Sequence, residues 1–298
     1  MMEYLKLFEN HSGYTEYKNS EGFLKPNVSH CIEENEVHYT SLYDPYNGKE
    51  YVDLGLTSGT KWAKMNVGAS SETENGLYFA WGETEGYTAS QVSGSATPHK
   101  DFSWSDYALT EDSGSTMSKY NAIDNKTVLD LEDDAASINM GGDWHMPNRA
   151  QCIELFKETK NGFVTSGGAF TQYAWNDTNS SSSPTSTTAA ISGWDTAGYF
   201  FFKNTYTSVT DAISANNYLF IPAAGFCGEG EVGGVGDWGD VWSSSLSTGS
   251  VGGAWGFGFG DGGAGVGDDR RCSGLSVRGV VGQITDSSDE GGAGGGER

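Results

Sequence analysis

The sequence predicts an α+β fold with small antiparallel sheets, two flanking helices and long irregular loops. Short runs rich in aromatic and β-branched residues, bounded by turn-forming residues, recur along the 298 residues and have the pattern of strands. Two stretches, 130–138 and 149–157, carry helix-start signals. Glycine occurs 43 times while aromatic residues make up 13% of the chain, so we expect irregular loops around large buried rings.

Residues 1–45 are predicted to form a small N-terminal docking module. Residues 4–8 have the pattern of a strand, and 26–32 with 36–39 have the pattern of a two-stranded return. A unit this small rarely folds alone. We therefore expect it either to dock the chain onto a partner or to pack on the main domain as additional strands.

A turn-rich linker at 41–48 leads into the main domain, which is predicted to span residues 46–283. Residues 51–56 and 60–65 have the pattern of a β-hairpin, and residues 76–82 have the pattern of a further, aromatic strand. These segments supply the first strands of the predicted fold.

The two helix predictions rest on their first turns. Residues 130–138 begin with acids, as the helix dipole favours, and we expect Asp133 and Asp134 to lie on a solvated helix face. Asn148 is the predicted N-cap of a helix over 149–157, which has an apolar side.

The segments between and after these helices differ in pattern. Residues 83–130 are polar and irregular, and the Ser/Thr-rich residues 165–187 are predicted to form an exposed, mobile loop. Residues 198–202 and 218–222 are apolar runs that predict two strands.

Residues 254–260 alternate aromatic residues with glycine over the length of a strand. This places Trp255, Phe257 and Phe259 on one face and only glycines on the other. Each glycine within a strand costs about 0.5–1 kcal/mol relative to alanine, so the glycine face is not selected for strand stability. We expect that face to point outward and to be available for binding.

Asparagine is scattered through the chain up to Asn217 and is absent after it. The remaining sequence is rich in loops, where asparagine is normally favoured. Between the apolar residues of this part of the chain lie mainly Gly, Asp and Ser, with some Val, Arg and Cys. Each of these is reached from an asparagine codon by changing one or both adenines, which suggests that asparagine has been overwritten.

Four segments depart from this Gly-, Asp- and Ser-rich composition, at residues 221–225, 242–246, 254–255 and 274–278. Together they resemble the variable region of target proteins of diversity-generating retroelements, of the type found in Bacteroides and their phages. Those proteins have a C-type-lectin fold related to formylglycine-generating enzymes. Residues 141–147 and the first strands resemble the Fibrobacter-type paralogous-domain signature, which belongs to the same family.

The resemblance implies a variable region at about 225–280, in which randomised adenines produce the ligand-facing residues. It also implies that strand 51–56 neighbours 275–280. Gly279 departs from the family pattern, which has proline at that place. The implied scaffold residues are Trp242, Trp255, Phe257, Phe259 and Arg278. The implied ligand-binding residues, called gap residues below, are Gly228, Gly233, Gly234, Trp238, Asp240, Ser247, Gly252, Gly253, Gly256, Gly258, Gly260, Asp261, Gly262, Gly263, Gly265, Gly267, Asp268, Asp269, Arg270 and Ser273.

The family further implies a function without chemistry. The expected role is a receptor-binding or tail-associated phage protein that recognises a protein or glycan on a bacterial surface. Other virion proteins would bind its N-terminal module, and a homo-oligomer such as a trimer is compatible with this role. The expected location is the virion or an extracellular surface. The N-terminus has no signal-peptide pattern, which favours release within a virion over standard export.

Composition argues against several other partners. The net charge of −23 disfavours nucleic acids and anionic membranes, and no apolar run is long enough to span a bilayer. Residues 284–298 are acidic and glycine-rich, which predicts a disordered tail.

No catalytic or metal-binding constellation is apparent, so we expect neither enzymatic activity nor a cofactor. The five histidines lack metal-ligand spacing, and the cysteines are far apart. We expect His145 to lie in the core. The cysteines are expected to be buried thiols, although Cys227 and Cys272 of the tail could pair. The tripeptide at 175–177 echoes a lectin calcium motif but lacks its partner motif.

Three other functions remain open. An enzyme of the formylglycine-generating kind would need a redox-active cysteine pair, and trapping of Cys227 or Cys272 by a substrate peptide would support it. A glycan-binding adhesin of a gut bacterium would share the fold but would carry an export signal. A structural virion protein that binds no ligand would have a tail that does not vary among sibling phages.

Overall fold

The computed structural model describes residues 29–33, 36–40, 44, 46–112, 114–187 and 190–282. It confirms an α+β protein that consists mostly of strands. Within these residues no helix combines the length and the apolar character needed to cross a bilayer. The helices of the described part are α1 (Ala89–Val92), α2 (Ala135–Met140), α3 (Arg149–Glu158) and α4 (Val209–Ser214).

Most of the regular secondary structure of the described chain consists of strands. They are β1 (Ser29–Glu33), β2 (Glu36–Thr40), β3 (Tyr51–Val52), β4 (Lys61–Ala63), β5 (Tyr78–Phe79), β6 (Thr159–Val164), β7 (Phe170–Asn176), β8 (Ser181–Thr187), β9 (Gly198–Lys203), β10 (Tyr218–Pro222), β11 (Phe226–Gly228), β12 (Glu231–Gly233), β13 (Trp238–Leu246), β14 (Gly253–Gly260), β15 (Gly263–Arg270), β16 (Leu275–Ser276) and β17 (Val280–Val281).

A large sheet that we did not expect lies beside the small antiparallel sheets that we did expect. Ten strands follow the order β10-β9-β6-β7-β8-β15-β14-β13-β16-β5, and β13 pairs with β16 in parallel. Ser182 and Ser181 of β8 pair with Ala264 and Gly265 of β15, which joins the middle of the chain to its tail. The smaller sheets are β1-β2, β11-β12 and β17-β4-β3.

The two-stranded return of the N-terminal module is confirmed, because β1 and β2 pair antiparallel from Ser29↔Thr40 to Glu33↔Glu36. The predicted strand at 4–8 and the tail at 284–298 lie outside the described residues.

The predicted hairpin of the main domain forms, but its neighbour differs from the expectation. Strands β3 and β4 pair antiparallel, and β17 pairs with β4 rather than with β3. The strand at 51–56 therefore does not lie beside 275–280, because β4 lies between them. The carbonyl of Ala63 accepts a hydrogen bond from Arg278 Nη1 at 3.0 Å, which adds a side-chain contact between the same segments.

The Ser/Thr-rich segment is not the mobile loop that we expected. It contains β7 and β8, which form an antiparallel hairpin within the large sheet. Phe170 and Tyr173 are buried, and the Tyr173 hydroxyl donates to the Gly260 carbonyl at 2.6 Å. Two spaced aromatic residues thus anchor an otherwise polar hairpin, and threonine and serine are compatible with strands.

The first predicted helix is shifted towards its C-terminus. Asp134 is the N-cap of α2, where it accepts from Ser137 N at 2.9 Å, and it also accepts from Met146 N at 2.7 Å. Its side chain is buried, so the expected solvated position is wrong. Burial raises its pKa above the usual value, while the two backbone donors oppose that rise.

The second predicted helix is confirmed as α3. Asn148 caps it by accepting from Gln151 N, and Gln151 accepts from Asn148 N in return, which completes a capping box.

The polar segment 83–130 contributes more to the core than its pattern suggests. It buries Phe102, Tyr107, Met117 and Tyr120. Irregular backbone here is fixed by local bonds to acid side chains, and one such bond runs from Tyr120 N to Asp124 Oδ2 at 2.6 Å. The segment packs over the tail and supplies one wall of the candidate site described next.

Candidate functional site

The predicted aromatic face of β14 is confirmed. Phe257 and Phe259 are buried in the largest apolar cluster of the described residues, against Phe156, Tyr199 and Phe201. Trp255 is half-buried on the same face, and the guanidinium of Arg149 lies 4.2 Å from its ring centroid.

The two other predicted scaffold residues are fully buried as well. Trp242 lies on the opposite face of β13 in a second apolar cluster, and its indole donates to the Phe79 carbonyl at 2.8 Å. Arg278 donates to Asn66 Oδ1 at 2.9 Å and to two backbone carbonyls. These five residues fix the backbone on which the gap residues lie.

The glycine face of β14 is more covered than we expected. Gly258 and Gly260 lie opposite Asp240 and Trp238 of β13. A Cβ on Gly256 would come within 2.7 Å of the Val241 carbonyl, and a Cβ on Gly260 would come within 3.0 Å of the Trp238 ring. Gly256 and Gly260 are buried, so neither presents an open position to a ligand.

The twenty gap residues divide by exposure. Exposed are Trp238, Asp261, Gly262, Gly267, Asp268, Asp269 and Arg270. Half-buried are Gly228, Gly233, Gly234, Asp240, Gly252, Gly258, Gly263 and Gly265. Buried, contrary to the outward orientation that we expected, are Ser247, Gly253, Gly256, Gly260 and Ser273. The buried ones lie where neighbouring strands or turns close over them.

A matched pair of substitutions tests this division. Gly256 and Gly267 face each other across β14 and β15, but a Cβ on Gly267 would meet no atom within 4 Å. Gly256→Ser should therefore cost about 1–3 kcal/mol through overpacking, whereas Gly267→Ser should stay within about 0.5 kcal/mol. Urea unfolding of both variants measures the difference. Equal effects would show that Gly256 has more room than its contacts indicate.

A cleft of about 280 Å³ collects five gap residues and two others. We call it the Trp104 cleft, and it is lined by Trp104, Ser250, Gly252, Gly253, Asp268, Asp269 and Arg270. It lies where the start of β14 meets the end of β15, because Gly253 pairs with Arg270. The turn before β14 thus faces the acidic end of β15.

Short hydrogen bonds orient the acids of the cleft. Asp268 Oδ2 accepts from Ser247 Oγ at 3.0 Å. Asp269 Oδ1 accepts from its neighbour's backbone, Arg270 N, at 2.6 Å and from Ser273 Oγ at 3.1 Å. The buried gap residues Ser247 and Ser273 therefore support exposed ones. Arg270 itself lies 3.5 Å from Glu229 of the β11–β12 turn.

No sequence pattern predicted a role for Trp104, which lies in the polar, irregular segment 83–130. Its ring lies close to Gly252, where a Cβ would come within 2.9 Å, and close to Gly114, where a Cβ would come within 2.6 Å. It also makes an edge contact with Tyr107 at 5.7 Å between centroids. A half-buried tryptophan held by two glycines forms a rigid wall of the cleft.

A second part of the tail exposes apolar side chains. We call Phe226, Val235 and Trp238 the Trp238 patch, and their exposed fractions are 44%, 52% and 42%. The Phe226 ring lies near Gly233 and the Trp238 ring near Gly234, so both rings lie against consecutive glycines. Gly234 has a φ of +71°, a conformation that favours glycine. Trp238 is exposed, as the resemblance implied for a ligand-binding residue.

The cysteines of the tail do not form a disulfide. Cys227 and Cys272 are free and buried, as is Cys152. Burial raises the pKa of Cys227 to about 12 and that of Cys272 to about 11, so both thiols are protonated and weakly nucleophilic at neutral pH.

The residues with metal-binding potential lie elsewhere. Carboxylate oxygens of Asp130, Glu132 and Asp133 lie within 4.8 Å of one another. Lysines already occupy this acidic group, because Lys126 pairs with Asp130 and Lys119 lies 2.7 Å from Asp133. The group therefore has the character of a surface ion-pair network.

Two weaker motifs also have structural roles. His145 is buried, as expected, and its ring contacts the Met146 carbonyl at 2.9 Å. In the lectin-like tripeptide, the Trp175 indole donates to Asp177 Oδ1 at 2.8 Å, and Lys157 lies 3.2 Å from the same oxygen.

Comparisons of the chain with protein-family models, with curated proteins and with solved structures gave no match. The fold and the site thus define an α+β protein, rich in strands, with an aromatic and acidic cleft formed by its C-terminal strands.

Proposed function

We propose that this chain is a ligand-binding variable protein of the diversity-generating retroelement type, in which the β11–β15 region recognises a bacterial surface ligand. In this proposal the fold is C-type-lectin-like. The N-terminal module docks onto other virion proteins, and the protein serves as a phage receptor-binding or tail-associated protein. It binds its ligand without catalysing a reaction.

One observation carries the proposal: scaffold and gap residues that alternate in sequence separate in space. Trp242, Phe257, Phe259 and Arg278 are buried with exposed fractions of 2% or less. Fifteen of the twenty gap residues are exposed or half-buried. Five of them meet in one cleft, although they come from two segments of the chain. A rigid core beneath a changeable surface is what a diversified binding site requires.

The absence of asparagine after Asn217 also supports the proposal, because changes to adenines in the gene would account for it. Composition alone does not explain it, because asparagine is common in loops and turns. Randomised adenines would remove asparagine from the tail and leave the earlier part of the chain unaffected.

Deep sequencing of this gene in a natural population tests the proposal. We expect substitutions to cluster at the exposed and half-buried gap residues, to match adenines of a near-copy in the same genome, and to spare Trp242, Phe257 and Arg278. Gly256 and Gly260 should vary least among the gap glycines. A flat distribution would contradict the proposal and would favour a structural protein with a fixed lectin-like domain.

A further inference from the structure

The exposed part of the tail is strongly acidic. Between residues 221 and 280 the acids are Glu229, Glu231, Asp237, Asp240, Asp261, Asp268 and Asp269. All seven are exposed or half-buried. The basic residues of the same segment are Arg270, Arg271 and Arg278, of which the last two are buried. The surface offered to a ligand therefore carries seven carboxylates and one guanidinium, and it attracts cations from a distance.

The Trp104 cleft combines two features that recognise a cation at short range. Its wall is the ring of Trp104, and the face of an indole attracts an ammonium or guanidinium group. Its acids are Asp268 and Asp269, whose orientations are fixed by Ser247 and Ser273. The side chain of Asp268 accepts this one hydrogen bond among the described residues, which leaves acceptor capacity for a ligand. A volume of about 280 Å³ accommodates a single long side chain.

Arg270 does not neutralise the cleft. Its guanidinium is directed towards Glu229, at 3.5 Å, in an ion pair in which both side chains are more than half exposed. Such exposed pairs contribute little, and this one leaves Asp268 and Asp269 without an arginine partner in the described chain.

We propose that the Trp104 cleft binds the cationic side chain, arginine or lysine, of a polypeptide ligand. This inference rests on the proposed function, because it names the ligand class of the same surface. The ammonium or guanidinium group lies against the Trp104 ring, and the carboxylates of Asp268 and Asp269 compensate its charge.

The Trp238 patch lies within reach of a ligand bound in the cleft. The β11–β12 hairpin runs from Phe226 and Gly233 at the patch to Gly228 and Glu229 beside Arg270. Its three-residue strands span about 10 Å, so the patch and the cleft are separated by the length of a few extended residues. A peptide segment with one basic and one apolar side chain matches both sites, whereas a neutral glycan offers no cation for the acidic cleft.

The experiment measures fluorescence anisotropy of fluorescein-labelled hexa-arginine with the full-length protein in 150 mM NaCl. Uncharged hexa-citrulline and neutral maltohexaose serve as competitors. We expect binding of hexa-arginine, and competition by neither uncharged compound. The Asp268→Asn/Asp269→Asn variant should bind at least about tenfold more weakly, since two charge-assisted contacts are lost.

Two further variants distinguish an effect of the cleft on affinity from an effect of net charge, and their unfolding distinguishes both from misfolding. Glu50→Gln/Asp195→Asn removes the same charge at exposed positions outside the tail, and its affinity should stay within about twofold of wild type. Trp104→Leu keeps apolar bulk but loses the indole face, and it should weaken binding about fivefold. Unchanged thermal unfolding of each variant confirms that the fold is retained.

Several results would overturn the inference. They are absence of hexa-arginine binding, equal losses in both double variants, and displacement by maltohexaose that depends on Trp104. The test is also separable from the test of the proposed function. A flat population profile with Trp104-dependent hexa-arginine binding would remove the proposed function alone. Clustered variation without hexa-arginine binding would remove this inference alone.

Discussion

Replacing Arg278 with methionine is expected to destabilise the fold by about 3–5 kcal/mol, because three buried acceptors lose their donor. The guanidinium is fully buried and donates to Asn66 Oδ1 at 2.9 Å, to Ala63 O at 3.0 Å and to Phe220 O at 3.1 Å. Methionine fills much of the volume but leaves these three acceptors without their donor, and each unsatisfied buried group costs about 1–3 kcal/mol.

Burial lowers the pKa of Arg278 to about 9, so the side chain is still charged at neutral pH. The charge is tolerated because its donors are directed at acceptors from two separate segments, at 63–66 and 220. Loss of this contact should therefore loosen the β17-β4-β3 sheet together with the end of β10.

Urea unfolding followed by circular dichroism measures the loss for Arg278. Arg270→Met is the matched control, since it removes the same group from an exposed position 3.5 Å from Glu229, and its effect should be within about 0.5 kcal/mol. A loss below about 1 kcal/mol for Arg278→Met would show that water or neighbouring groups replace the donors.

The second large effect is expected for Phe257→Ala, which should cost about 3–5 kcal/mol. The ring of Phe257 lies near Trp62, Phe156 and Phe201, with centroid distances of 6.3, 5.6 and 6.4 Å. Alanine would leave a cavity at the meeting point of β4, α3, β9 and β14. The strands are hydrogen-bonded into sheets and α3 is capped, so these elements should not shift enough to fill the cavity.

Trp255→Ala is the control for Phe257, because it removes a larger ring from the same strand face at a half-buried position. We expect it to cost only about 1–2 kcal/mol, through lost packing and the lost contact with Arg149. Thermal and urea unfolding of both variants should give the same order. If Trp255→Ala were the more damaging change, Trp255 would contribute more to the core than Phe257, contrary to the burial of the two rings.

The two predictions bear on function because a diversified surface needs a core that tolerates changes above it. Large losses at Arg278 and Phe257, beside small losses at exposed gap residues such as Gly267, are the stability profile that the proposed function requires. Such a profile would leave ligand identity to the gap residues and stability to the scaffold.

The sequence by itself determined the strand-rich α+β class, the aromatic face of β14 and the cap of α3. Each follows from a local rule: alternation of period two for Phe257 and Phe259, and side-chain capping for Asn148. It also predicted that rings and glycines lie on opposite faces of β14, because the two alternate along residues 254–260.

Only the tertiary structure decided which gap residues are exposed and what they face. Gly256 and Gly267 look alike in sequence, but one lies under the Val241 carbonyl and the other is open, because strand neighbours are not encoded by local spacing. Trp104 joins the cleft from a segment more than a hundred residues earlier in the chain. The hairpin at 170–187 is part of the large sheet although its composition is polar. Its aromatic residues Phe170 and Tyr173 are buried, and β8 pairs with the edge of β15.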